Sequence, residues 1–235
     1  MRIKMPKLKA DQRWLDPIRG LEYHDEGGYF YNEKPVPHRM TEVISNSNYF
    51  SRVRNGDFGE DKQVDLLISL DQGNTVHKCM NEFVRGRSFS PYSEVSNEYY
   101  GELVNRLVRH WIWDEWEAIG SEYMLLDVRR KIAGTCDLIL RNKNDHSRIA
   151  IADLKTKKHK VNKEGEPIIQ KTNHKTQLGG YMNLLNQIYP ELSTEDTFII
   201  FASPTKIEIQ TYDWLDCLES YEAARSLYFE NQEDF

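Results

Sequence analysis

The sequence predicts an α/β protein, a mixed central sheet flanked by helices, with a hairpin and helical extension in front of it. Three observations carry this. Residues 122–128, 132–141 and 148–155 are short apolar or alternating runs separated by polar turns, the pattern of consecutive strands. Helical periodicity brackets that block, with Val76, Met80 and Val84 at four-residue steps before it and an amphipathic stretch over 175–188 after it. A second strand pair, 197–203 and 206–212 around Pro204, then leads into a last helix.

Taken in order, residues 1–12 read as a loose arm. Residues 21–33, LEYHDEGGYFYNE, read as a short hairpin with aromatic flanks around Gly27-Gly28, broken afterwards by Pro35 and Pro37. Thr41 is positioned to cap a short helix through Ile44. A helix is expected near 60–70 and another from Gly73 to Val84. Residues 96–118 read as a longer helical segment, with Leu103, Leu107 and Trp111 on one face. Within it Trp111, Trp113 and Trp116 are expected to serve packing, and nothing specific supports a base-stacking role. After Gly120 the period shortens to that of strands. The segment 156–174 is polar and lysine-rich, the helix over 175–188 stops before Pro190, and 213–230 forms a final amphipathic helix with Trp214, Leu218, Tyr221 and Tyr228 near one face. The expected division is an extension over 1–72 and a core over 73–235.

Composition narrows the class. The 235 residues are 39% hydrophobic and 29% charged, suited to one compact domain. No apolar run is long enough to span a bilayer, and the basic start MRIKMPKLKA has no apolar stretch behind it, so a cytoplasmic protein is expected. Cys79, Cys136 and Cys217 are too sparse for a disulfide framework, and no CxxC occurs. A net charge of −6, from 31 basic and 37 acidic residues, argues against bulk coating of nucleic acid but leaves room for a nucleic-acid enzyme.

The chemistry concentrates in two strands. In RIAIADLK, alternation puts Ile149, Ile151, Asp153 and Lys155 on one face and Ala150, Ala152 and Leu154 on the other. An apolar strand face thus ends in an acid and a base, and burying either charge unpaired costs several kcal/mol by order of magnitude. The preceding strand, KIAGTCDLIL, sets Asp137 among apolar neighbours. An antiparallel pairing would bring Asp137 opposite Asp153, where the two carboxylates repel unless a cation holds both ionised. A hard ion such as Mg²⁺ or Mn²⁺ suits oxygen ligands. Further on, KTQLGGYMNLL puts Gln177 and Tyr181 on one helical face. Between them Gly179 and Gly180 cost about 1 kcal/mol each relative to alanine, which points to close backbone approach, to the sheet or to a ligand.

These residues, Gly73-Asn-Thr-Val-His77, Glu122, Gly134-Thr-Cys-Asp137, Asp153-Leu-Lys155 and Gln177-Leu-Gly-Gly-Tyr181, stand in the order of the signature of RecB-type nucleases in the PD-(D/E)XK superfamily, which the chain resembles over roughly 70–185. The start, YFYNEKPVPHRMTEVIS, resembles phage and mitochondrial genome maintenance exonucleases of that group. The resemblance implies a restriction-endonuclease-like core and Mg²⁺- or Mn²⁺-dependent hydrolysis of DNA phosphodiesters. It implies a metal held by His77, Asp137, Asp153 and the backbone carbonyl of Leu154, with Glu122 part of the catalytic set. Lys155 would orient the water or stabilise the transition state, and Gln177 and Tyr181 would position the phosphate or support the lysine. The cysteines that hold an iron–sulfur cluster in some relatives are missing here. An exonuclease in replication, repair or recombination, working with a partner protein of such a process, is the first expectation. A structure-specific or site-specific endonuclease, or a non-catalytic DNA-binding protein on the same fold, is the alternative.

Ordinary roles compete at each position: a buried ion-pair network for Asp137, Asp153 and Lys155, a core histidine for His77, a solvated strand start for Glu122, and helix packing for Gln177 and Tyr181. The lysine-rich segment after Lys155 is either a solvated loop or a DNA-holding hairpin in which Lys157, Lys158 and Lys160 contact phosphates without reading sequence.

Overall fold

A computed structural model describes residues 13–25, 28–45, 60–87, 98–158, 160–169, 173–192 and 194–233, without the side chains of 60–68 and 98–100. The arm expected over 1–12, the hairpin residue Gly27 and residues 50–59 lie outside the described residues. The expected hairpin forms from β1 (Leu21–His24) and β2 (Gly28–Tyr31), which pair antiparallel, with β3 (Lys34–Pro35) added to β2. Then β4 (His38–Arg39) leads into α1 (Met40–Ser45). Thr41 does not cap this helix; it lies inside it. The Glu42 carboxylate accepts the Arg39 N–H at 3.3 Å, half of a capping box.

Helix α2 (Glu60–Val84) is one continuous helix where two were expected, so residues 72 and 73 both lie within it. The helical segment expected over 96–118 is also different. Helix α3 (Glu98–Val108) and a single turn, α4 (Ile112–Glu115), are followed by strand β5 (Trp116–Asp127), so Trp116 opens a strand. Pairing wins over local propensity there. Trp116–Ala118 join the ladder opposite Leu140–Asn142, and the buried Trp116 ring meets Phe198 edge-on with 5.1 Å between centroids. Strands β6 (Ile132–Asn142) and β7 (Ile149–Thr156), the hairpin β8 (Lys160–Val161) and β9 (Pro167–Ile168), helix α5 (Lys175–Ile188), strands β10 (Thr194–Ala202) and β11 (Ile207–Thr211), and helix α6 (Trp214–Glu233) complete the order.

The six-stranded sheet runs β11-β10-β7-β6-β4, with β5 on the other edge of β6. It is mixed: β7 and β10 are parallel, as are β4 and β6, and the other neighbours are antiparallel. Alternation along β7 splits its side chains between two cores. Ile149 and Ile151 pack with Leu178 and Leu185 of α5 and Tyr221 of α6, while Ala150, Ala152 and Leu154 pack with Val76 and Met80 of α2 and Leu103 and Leu107 of α3. Each fully buried Leu or Ile there contributes roughly 1.5–3 kcal/mol.

The glycine pair of α5 answers to close helix packing and not to the sheet. A Cβ on Gly179 would overlap the Cys217 carbonyl oxygen of α6, and one on Gly180 would stand 2.5 Å from the Met40 sulfur of α1. Gly134 plays the matching part on β6, where a Cβ would meet Met40 and Tyr181 at 2.7 and 3.0 Å. Small residues on both surfaces thus let α1 and α5 close onto β6 just before Asp137.

Candidate active site

The site forms where β6 and β7 part. Their ladder runs from Arg141↔Ile149 to Leu138↔Ala152 and stops. On the same edge of β6, β4 pairs only with Ile132 and Ala133, so residues 134–137 have no strand beside them there among the described residues. Continuing the antiparallel register past its last pair would set Asp137 opposite Asp153. In place of a ladder bond the Asp137 side chain bridges the gap, its Oδ2 accepting the Leu154 N–H at 2.8 Å.

Strand β5 supplies Glu122. The pairs Ser121↔Leu138 and Tyr123↔Cys136 set it opposite Asp137. Its φ is 47°, in the left-handed region that a non-glycine residue in a strand rarely occupies and that stores backbone strain. A bulge at Ile119 shifts the register just upstream, and the Ile119 carbonyl accepts the Leu15 N–H at 2.7 Å. Glu122 is therefore a mid-strand residue and not a strand start, but it is exposed, as the ordinary reading of it expected.

Helix α2 brings His77 from the α2/α3 side. Its Nδ1 lies 3.1 Å from Glu122 Oε1 and 3.6 Å from Asp137 Oδ1, and its Nε2 lies 3.1 Å from the Leu154 carbonyl oxygen. Ligand atoms of His77, Glu122 and Asp137 all fall within 4.8 Å of one another. Burial disfavours a charged His77, but the Asp137 and Glu122 carboxylates outweigh it and hold the imidazole up at about 9.

Asp153 is fully buried behind this cluster. Its Oδ2 forms an ion pair with Lys155 Nζ at 2.7 Å, yet neither oxygen accepts a hydrogen bond of good geometry. Burial pushes the Asp153 carboxyl up, with Lys155 opposing and Asp137 reinforcing the shift. Lys155 is raised: burial disfavours its charge, and Asp153 and Asp137 more than offset that. A buried carboxylate with unmet acceptor capacity is costly. The His77 imidazole, the Glu122 and Asp137 carboxylates and the Leu154 carbonyl come together in a group that fits a hard divalent cation; Asp153 is not part of that group, though it lies close enough to Asp137 for the two to interact and has acceptor capacity left.

Helix α5 faces the site from the other side of the sheet. Tyr181 is buried, its hydroxyl pushed well up by burial and then by Asp137. Gln177, one turn earlier, hydrogen-bonds His174, which sequence reasoning missed. His174 stands at the N-terminal boundary of α5, and its imidazole is lowered by burial and by Lys155, with Asp153 pulling the other way. It therefore shares the electrostatics of the acid–lysine pair. Its one sequence signal was the spacing of three residues before Gln177.

Beyond the site, Lys157 folds back over the Phe201 ring at 5.3 Å, and Lys158 and Lys160 are exposed. The segment forms the β8–β9 hairpin, whose turn Asn162 organises by accepting the Glu164 and Glu166 N–H groups at 3.0 and 2.8 Å. Lys175 turns away to Asp216 at 2.6 Å.

Where the mixed sheet splits, Asp137, Asp153 and Lys155 thus lie with His77 across the gap, and the His77–Glu122–Asp137 group could hold a metal ion. The family model for the PD-(D/E)XK nuclease superfamily matches residues 48–213, and the chain belongs to that superfamily. Nucleases of this class use divalent metal ions. A solved structure titled "Crystal structure of SSO0001" is similar over 80% of this chain and 75% of that one, at 15% identity and a TM-score of 0.35, too low to bear on function. No curated protein matches. No helix among the described residues is long and apolar enough to cross a membrane.

Proposed function

We propose that the chain is a Mg²⁺- or Mn²⁺-dependent DNA exonuclease of the RecB type, acting in replication, repair or recombination. The observation that carries the reading is Asp153: a fully buried carboxylate, ion-paired with Lys155 through one oxygen, with acceptor capacity left and in electrostatic contact with Asp137 of the His77–Glu122–Asp137 cluster. A purely structural ion-pair network would give Oδ1 a partner as well as Oδ2.

His77, Asp137, Asp153 and the Leu154 carbonyl would hold the ion, and the proximity of Glu122 to His77 and Asp137 adds it to that set. A divalent cation bound there lowers the pKa of a coordinated water and stabilises charge on the phosphate. Lys155 stays protonated beside Asp153 and donates toward the scissile phosphate or the attacking water. Asp137 fixes the Leu154 backbone through its hydrogen bond, so the carbonyl on the same residue is held in place. Gln177 and Tyr181, one helical turn apart on α5, would position the phosphate or support the lysine. Lys157, Lys158 and Lys160 would hold the DNA backbone as it enters.

The test is digestion of end-labelled linear DNA against covalently closed circular DNA in Mg²⁺. Loss of label from the linear form with the circle intact is expected. A circle opened at a comparable rate would favour the endonuclease reading, and neither substrate cut would sink the nuclease reading of this site.

A further inference from the structure

A groove of about 640 Å³ lies away from the active-site cluster, between α3 and the turn joining β10 to β11. Arg106, Arg109 and Lys206 line it, with Glu102 as the acid among its lining residues. In a chain of net charge −6 this is a local reversal of sign. Arg106 is locked in place, its Nε donating to the Pro204 carbonyl at 2.6 Å, and Lys206 pairs with Glu208 at 2.5 Å. Arg109 is exposed and has no hydrogen-bond or ion-pair partner among the described residues. Trp111 also lines the groove, 53% exposed, with the His110 ring 5.3 Å from its own. The expectation that all three tryptophans serve packing therefore fails for Trp111, whereas Trp116 is buried and Trp113 donates its indole N–H to the Leu107 carbonyl.

The groove adjoins the active-site end of the sheet. Phe201 pairs in register with Lys155, and Thr205, which lines the groove, is four residues further along the chain. Its Cα is therefore within roughly 14 Å of that of Phe201 even at full extension.

We propose that this groove binds single-stranded DNA, a segment of the substrate strand outside the catalytic centre, with an unpaired base stacked on Trp111 and backbone phosphates on Arg109 and Arg106. An exposed indole and an exposed guanidinium lining one groove match the pairing of base faces with phosphates in single-strand binding, where stacking is tolerant of sequence. A duplex keeps its base faces stacked inside and offers none to the indole. The inference rests on the DNA-nuclease reading of the active site but is tested without turnover.

The experiment measures binding of a fluorescein-labelled single-stranded oligonucleotide by anisotropy in Ca²⁺ over a range of KCl, for the wild type, Trp111→Ala, Trp111→Phe and Arg109→Ala, each checked for an unchanged melting transition. Trp111→Ala should weaken binding about tenfold, with Trp111→Phe restoring most of the affinity. Arg109→Ala should reduce the salt slope by about 0.7. Wild-type affinity and slope in both alanine variants would overturn the proposal. So would an equal loss on a blunt duplex, because stacking needs an unpaired base. Mg²⁺-dependent cleavage is scored separately: its absence in the wild type would count against the nuclease reading, while loss of single-strand affinity in Trp111→Ala would still support the groove.

Discussion

At Asp137 one side chain does two jobs. Its Oδ2 holds the Leu154 N–H, and its Oδ1 faces His77, so a substitution can separate structure from chemistry. Asp137→Asn keeps an acceptor for Leu154 and removes the charge. It should fold like the wild type and lose cleavage by about 10² or more, the scale of removing a preorganised electrostatic group. Asp137→Ala should lose cleavage and also about 1–3 kcal/mol of stability, because a buried N–H is left unpaired. Urea unfolding of the two variants beside a cleavage assay checks this, and equal stability would mean that the Leu154 bond is worth little. Lys155→Ala should keep Mn²⁺ binding by calorimetry while losing turnover, since its ammonium pairs with Asp153 and is not a metal ligand. Mn²⁺ binding lost from a folded Lys155→Ala would count against that division.

At the scale of elements, the close fit of α5 against α6 and α1 sets where Gln177 and Tyr181 sit. Gly179→Ala should therefore cost about 1–3 kcal/mol or more by overpacking, since its Cβ would meet backbone and not a flexible side chain. Denaturant unfolding measures it, and a stability equal to wild type would mean that α6 gives way easily. The β8–β9 hairpin carries a second expectation. Neutralising Lys157, Lys158 and Lys160 together should weaken DNA binding alike across sequences and lower the salt slope by about 0.7–0.9 for each phosphate no longer neutralised. Lys157, already drawn over Phe201, should contribute least of the three when changed singly. What was legible in the sequence at this scale followed from period. Two-residue alternation through Ile149–Lys155 marked β7 and its two faces, whereas the opposition of Asp137 and Asp153 depended on an antiparallel pairing with β6. Elements set by distant partners left no such trace. Strand β4 is two residues long and exists through pairing with Ile132 and Ala133, and β5 starts at Trp116 because β6 is there to pair with it. The left-handed Glu122 and the placement of His174 are tertiary facts, invisible to local spacing.

Across the whole molecule, the buried Asp153 and its neighbours gather negative charge that a bound cation would balance, so metal binding and stability should be linked. Saturation at a hundred times Kd adds about 2.7 kcal/mol. For a chain of this size that is a rise in Tm of about 5–11 °C. Thermal melting in EDTA and in Mn²⁺ should show this rise for the wild type and little of it for Asp137→Asn. The measurement that bears most directly on the central claim is the initial rate of linear-DNA cleavage as Mg²⁺ is titrated into EDTA-treated protein, for the wild type and Asp153→Asn side by side. The wild-type rate should climb from background to saturation while Asp153→Asn stays at background throughout. A wild-type rate indifferent to EDTA, or Asp153→Asn cutting at the wild-type rate in Mg²⁺, would contradict a divalent-metal nuclease site built on Asp153.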